Sequence, residues 1–226
     1  MNQAIPDERD ISKTERVYEA LRRRIRELTL APGAPLRKEE IALELGVSRA
    51  PVSDAISRLA EEGLIDVFPQ HGSFVALIRA TDVRESLFVR TALEVEAMRR
   101  LATVADAGTL EVLDANIVAQ ALALNAGNLE QFYDLDEALH AAIFGAIEKP
   151  RALRLLEAAR APLDRVRRLA LPQAGRPEQT LAEHRALVEA IRSGDSEYAA
   201  AAMRAHLTMV GRAIELKLPE IEEEHG

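Results

Sequence analysis

Apolar residues recur every three to four positions along most of this chain, the period of helices with one buried face. Val17, Leu21, Ile25 and Leu28 follow Ser12-Lys13-Thr14-Glu15, an S-x-x-E capping box, and predict a first helix of roughly four turns. Ala31-Pro32-Gly33 is a turn signal that ends it. Ile41, Ala42 and Leu45 predict a second helix over 37–45, stopped by Gly46. Ser48 is placed to cap a third, with Pro51 in its first turn, where a missing N–H does no harm, and Gly63 at its end. Val52, Ile56 and Leu59 form its apolar stripe. The period then shortens: 64–68 and 73–76 read as two strands around Pro69-Gln70-His71-Gly72. Three helices followed by a hairpin describe a winged helix-turn-helix.

Beyond a short connection at 77–81 the period stays helical. Asp82-Val83-Arg84-Glu85 has the form of a second capping box. Helices are predicted over 82–105, 109–125, 129–147, 150–169, 178–193 and 196–217. Their breaks are Asp106-Ala107-Gly108, Asn125 to Asn128, Lys149-Pro150, Pro172 to Pro177 and Ser193-Gly194-Asp195. Pro219 is expected to close the last helix and Glu222-Glu223-Glu224 to form a solvated tail. The expected fold is mainly α, with a winged domain over 1–78 and an all-helical bundle of six helices over 79–226.

Composition narrows the chemistry. The 226 residues include no cysteine, which excludes disulfides, thiol nucleophiles and thiolate zinc sites. No apolar run is read as a membrane span, and no signal peptide opens the chain, so a cytoplasmic protein without membrane contact is the expectation. The net charge is −8, unevenly placed. Residues 1–79 hold 12 Lys and Arg against 13 Asp and Glu; the rest hold 17 against 24. DNA binding is compatible with this, because it depends on where charges sit rather than on their sum.

The start of the third helix carries the candidate DNA contacts. Arg49 can give two parallel hydrogen bonds to guanine. Ser48 and the helix's first N–H groups can hold a phosphate. Lys38 opens the second helix as a candidate phosphate contact, and His71 and Gly72 at the wing tip can approach a minor groove.

Ala31-Pro32-Gly33 with Leu36, the run 45–52 (LGVSRAPV) and the run 58–65 (RLAEEGLI) resemble the GntR family of bacterial transcription regulators over residues 12–78. The resemblance adds Ala50, Pro51 and Ser53 to the expected DNA-facing residues. Where the family usually continues with arginine and glutamate, this chain has Ser53 and Asp54, so its operator is expected to depart from the common GT…AC pattern. Lys38 also stands where the family usually has an acidic residue.

Three of the five histidines, His140, His184 and His206, fall in predicted helices of the second part. Asp136 precedes His140 by four residues and shares its helix face. Three imidazoles and a carboxylate suit zinc, nickel or manganese. By spacing alone, each histidine taken singly is more often a hydrogen-bonded core or surface residue than a ligand, and the three together with the D-x-x-x-H pair shift that balance without reversing it.

The runs 90–94 (RTALE), 136–140 (DEALH), 183–185 (EHR), 190–195 (AIRSGD) and 203–207 (MRAHL) resemble the ligand-binding domain, called FCD, of the FadR branch of GntR regulators over 82–215. The resemblance implies that Asp136, His140, His184 and His206 hold a divalent metal, zinc foremost, and that the metal helps hold a small carboxylate effector. Arg90 matches a pocket-facing arginine, and Arg168 is a second candidate for gripping the acid. Sugar acids, hydroxy acids and dicarboxylates then rank above fatty ligands. The expected function is a homodimeric repressor of an operator, controlled by that effector. Two alternatives stand beside it: a direct metal-responsive regulator, and a metal-dependent enzyme. Against an enzyme, the chain has no H-E-x-x-H helix and no assignable general base.

Overall fold

The computed structural model describes residues 12–170 and 175–225. The chain divides into two compact units: Met1–Asp82 with Glu220–Gly226, and Val83–Pro219.

In the first unit, α1 (Lys13–Arg26) is capped by Ser12, whose hydroxyl accepts the Glu15 N–H at 3.1 Å. Its buried stripe is Val17, Tyr18, Leu21 and Ile25. Leu28, expected inside the helix, lies beyond its end and takes a φ of +60°. α2 (Lys38–Leu45) ends at Gly46, whose φ of +64° turns the chain sharply. α3 (Arg49–Glu61) buries Val52, Ala55, Ile56 and Leu59. Polar contacts tie α1 to the end of α3. The Tyr18 hydroxyl donates to Glu62 at 2.6 Å, Arg58 lies 3.5 Å from the centre of the Tyr18 ring, and Arg58 donates to Glu15 at 2.8 Å.

The hairpin is β2 (Ile65–Phe68) and β3 (Gly72–Val75), antiparallel, with Ile65 opposite Val75 and Phe68 opposite Gly72. A two-residue strand, β1 (Pro35–Leu36), pairs with the other edge of β3 and was not expected. Two residues are too few to display an alternation; the strand exists because β3 offers it an edge.

The second unit is built from α4 (Ala80–Val104), α5 (Ala107–Asn125), α6 (Leu129–Ala146), α7 (Pro150–Ala170), α8 (Arg176–Arg192) and α9 (Ser196–His225). Asp106 and Asn128 cap α5 and α6, accepting the Thr109 and Gln131 N–H groups. The core joins Met98 and Leu101, Leu113 and Ile117, Phe132 and Ile143, Leu187 and Ile191, and Met203 and Leu207.

Three expectations need correcting. α4 begins before Asp82, so the second capping box lies inside the helix rather than at its start. α9 runs through Pro219 to His225, held by buried Leu218 and Ile221 on either side of the proline. Glu222, Glu223 and Glu224 are exposed, as expected, but they are helical, and the Glu222 carboxylate accepts the Ala80 N–H at 3.0 Å. α5 is also long and apolar enough to cross a membrane by length and composition, contrary to the reading of the sequence. It packs on α6 and α8 through Leu113, Ile117, Gln120 and Ala123, and core helices pass the same test. The expected break at 172–177 lies in part outside the described residues.

Replacing Gly46 by alanine forces a side chain into the left-handed region, with no nearby atom to clash. The expected result is a loss of about 1 kcal/mol, read from the denaturation midpoint, with the helical signal unchanged.

Candidate metal centre

The 3.6-residue period sets Asp136 and His140 one turn apart on the buried face of α6, and Arg90 and Glu94 likewise on α4. α8 brings His184 and α9 brings His206. All six side chains are buried. The three imidazole rings lie 5.0–5.6 Å apart between centres, and one ligand-capable atom from each falls within 4.8 Å of the others.

Each ring is oriented from behind. His184 Nδ1 meets Gln120 Oε1 at 2.8 Å, and His206 Nδ1 meets Glu183 Oε2 at 2.8 Å. His140 Nδ1 is paired with Glu94. A carboxylate or amide oxygen can only accept, so each Nδ1 carries the proton and each Nε2 keeps its lone pair. Gln120 is itself fixed: its amide donates to Asn116 at 2.7 Å, and Asn116 donates to the Leu135 carbonyl at 3.0 Å. The Nε2 atoms of His184 and His206 are buried and carry no hydrogen bond. That of His140 accepts Arg90 Nη2 at 3.0 Å.

Asp136 adjoins this cluster without belonging to the trio. Its Oδ1 lies 3.3 Å from His184 Nε2 and 2.7 Å from Arg167 Nη2. Its Oδ2 lies 3.5 Å from Arg160. Arg160, Asp164 and Arg167 follow one face of α7 and are all buried. Arg168, the expected second effector contact, is turned to Asp134 at 4.0 Å and to the Tyr133 ring at 5.3 Å.

Burial pushes all three imidazoles toward the neutral form, His140 to about 4 and His184 well below its ordinary value. Burial would raise Asp136 too, but the Arg167 guanidinium overrides it and holds the carboxyl well below its usual range. The assembly is three neutral nitrogen donors beside an ionised carboxylate, a donor set for a borderline divalent cation.

Gln120, Glu183, Arg160 and Arg167 were not singled out from the sequence. Gln120 had a signal: it is the polar member of the stripe Leu113, Ile117, Ala123. The α7 arginines had none, because a run of charges reads as a solvated face.

In the first unit, Ser48 occupies the cap position of α3 but its hydroxyl makes no capping bond. Arg49 is exposed and lies 3.2 Å from Glu39; Ala50 is exposed, and Pro51 and Ser53 are half-buried beside it. Lys38 is half-buried at the start of α2. His71 and Gly72 are exposed at the wing, the His71 ring 3.0 Å from the Pro69 carbonyl.

A winged helix-turn-helix in one unit, beside a helical unit with a buried histidine cluster, is the architecture of a DNA-binding regulator. Comparison with known proteins agrees. Residues 13–75 match the bacterial regulatory proteins of the gntR family, and residues 85–209 match the FCD domain. The chain belongs to the GntR family and carries an FCD domain; it is a transcriptional regulator of that type. It is 37% identical over 88% of its length, and 84% of the relative's, to an HTH-type transcriptional regulator in an unstable DNA locus of Streptomyces ambofaciens. It is 32% identical to the HTH-type transcriptional repressor RspR of Escherichia coli over 88% of each chain. Among solved structures, E. coli McbR/YncC shares the fold with a TM-score of 0.81 at 20% identity, covering 92% of this chain and 99% of that one.

A buried neutral histidine resists protonation that the unfolded chain accepts. Stability is therefore full above the unfolded value near 6.5 and falls as pH drops toward about 4. In the presence of chelator, denaturation midpoints are expected to fall over that window, by about 1 kcal/mol per pH unit for each imidazole involved. A flat profile between pH 6.5 and 4.5 would contradict the burial of neutral imidazoles.

Proposed function

We propose that this chain is an operator-binding repressor, acting as a homodimer, whose hold on DNA is set by a small carboxylate effector at a divalent cation in the helical unit. The observation that carries the reading is the pair of buried Nε2 atoms, on His184 and His206, that have no hydrogen bond and lie against a third imidazole. Leaving such acceptors unpaired in a protein interior costs free energy, and a cation relieves it. His140, His184 and His206 would hold the ion, with Asp136 as the fourth donor. Zinc is the first candidate and nickel or manganese the next. The bound ion supplies positive charge and open coordination positions to an acid.

The side chains divide the remaining work. Gln120, Glu94 and Glu183 fix the rings, so the donors are aimed before any ligand arrives. Arg90 offers a guanidinium to the acid's carboxylate. In the reading head, Arg49 reads a base edge once it parts from Glu39, and Ser48 with the first N–H groups of α3 takes a phosphate. Lys38, Ala50, Pro51 and Ser53 line that approach, and His71 and Gly72 present the wing. Two copies reach two half-sites. The effector releases DNA only by as much as it favours the released arrangement. The repressor assignment leans on the RspR relative.

Protein stripped with chelator and reloaded is expected to hold one zinc per chain by elemental analysis, and His184→Ala or His206→Ala to weaken zinc at least tenfold. On DNA from upstream of its own gene, a gel shift is expected that weakens roughly tenfold in Arg49→Ala. Candidate acids are expected to abolish the shift only with zinc present. A chain that holds no zinc overturns the metal reading. Release by chelator alone, with no acid required, would make the ion itself the signal.

A further inference from the structure

The helical unit has an apolar groove whose lining includes none of the histidines. It encloses about 270 Å³ between α4, the end of α6 and the start of α7, and its apolar lining includes Leu93, Phe144, Ile147 and Ala152. About 150 Å³ is room enough for a benzene ring. Three charged side chains share the lining, Arg100 and Lys149 against Glu96. Leu155, one turn beyond Ala152 on α7, is exposed and extends the apolar surface.

One turn before the groove, on α4 itself, stands Phe88, 76% exposed. Ala92 and Glu96 follow it at four-residue steps and line the groove, and Arg100 comes one step later. Glu85 precedes Phe88 by three residues. These five side chains therefore form one stripe along α4. A helical side chain leans toward its own N-terminus, so Phe88 leans away from the groove of its own chain. A protruding ring and a ring-sized groove on one surface, unable to meet within a chain, meet when two copies are related by a two-fold axis.

The stripe is complementary to itself. When two copies of α4 run antiparallel with the axis beside Ala92, Phe88 of one comes against Glu96 and Ala97 of the other, where the groove lies. The same register sets Glu85 against Arg100. Among the described residues Glu85 has no ion-pair partner in its own chain. Arg100 donates to Glu96 at 2.7 Å, and its guanidinium has further N–H groups to offer. Ala92, small and central, lets the two helices approach closely.

We propose that two copies of this chain pair through α4, antiparallel, with Phe88 of each seated in the groove of the other and Glu85 of each against Arg100. This rests on the homodimer reading above and assigns its face. Phe88 is the anchor of the contact, an aromatic side chain that fills a pocket at its centre.

Sedimentation velocity on the full-length protein tests the pairing. The unaltered chain is expected to sediment as a dimer at micromolar concentration, and Phe88→Asp to weaken the dimer roughly thirtyfold or more. Because Phe88 is exposed, the circular dichroism of that variant is expected to match the unaltered chain. Glu85→Arg and Arg100→Glu are each expected to weaken pairing by about threefold to tenfold, and the double variant to return it toward the unaltered value. A merely structural effect of either substitution would not be reversed by the other.

The outcomes separate this face from the homodimer reading. If the unaltered chain pairs and Phe88→Asp pairs equally well, the dimer uses another face, and the inference is wrong while the homodimer stands. If the unaltered chain is a monomer, both fall. Weakening by both charge variants with no recovery in the double variant overturns the antiparallel register. If Phe88→Asp still pairs, and anilinonaphthalene sulfonate bound by the unaltered chain is lost in Ala152→Trp, the groove takes a small apolar molecule and the proposal fails.

Discussion

The structure of the second unit turns on one constraint: polar groups withdrawn from water must answer one another. Arg90, Glu94, Asp136, His140, His184 and His206 are all buried. A bundle of leucine and alanine alone would be simpler to stabilise, since breaking any buried pair leaves a stranded charge. Here the pairing is dense. Glu94 serves both Arg90 and His140, Asp136 serves both Arg167 and Arg160, and Asn116 and Gln120 relay a fixed orientation from a backbone carbonyl to His184. The result is a set of rings that cannot rotate to satisfy themselves locally.

That rigidity explains why two imidazole nitrogens remain without a hydrogen bond. In a looser interior, His184 and His206 would turn toward a carbonyl or admit water. Their Nδ1 atoms are instead claimed by Gln120 and Glu183, which leaves Nε2 aimed inward. A site held this way is organised in advance of its ligand, and binding does not have to supply the ordering.

Much of this was legible in the sequence, and the limits are physical. The helices of both units follow from apolar period and caps, and Ser12, Gly46 and Asp106 act as their types suggest. The convergence of His140, His184 and His206 was expected from the resemblance of three runs, 136–140, 183–185 and 203–207, to the FCD domain, because helical spacing alone does not say which faces meet. Asp136 was read as the fourth member of the set; the structure finds it engaged first with Arg167, an ion pair that one-dimensional spacing cannot reveal. Arg167 and Arg168 are neighbours of identical composition, and only the rotation of α7 decides which one faces inward. Strand β1 and the passage of α9 through Pro219 were missed for a similar reason: tertiary partners overrode the local rule.

The bond between Arg90 and His140 Nε2 has a kinetic side. An imidazole nitrogen owns a single lone pair, and the guanidinium already has it. Any cation taken up by that ring must arrive by substitution, so uptake would be gated by how often the arginine lets go. Raising the ion's concentration would then quicken loading only up to a ceiling set by the protein itself.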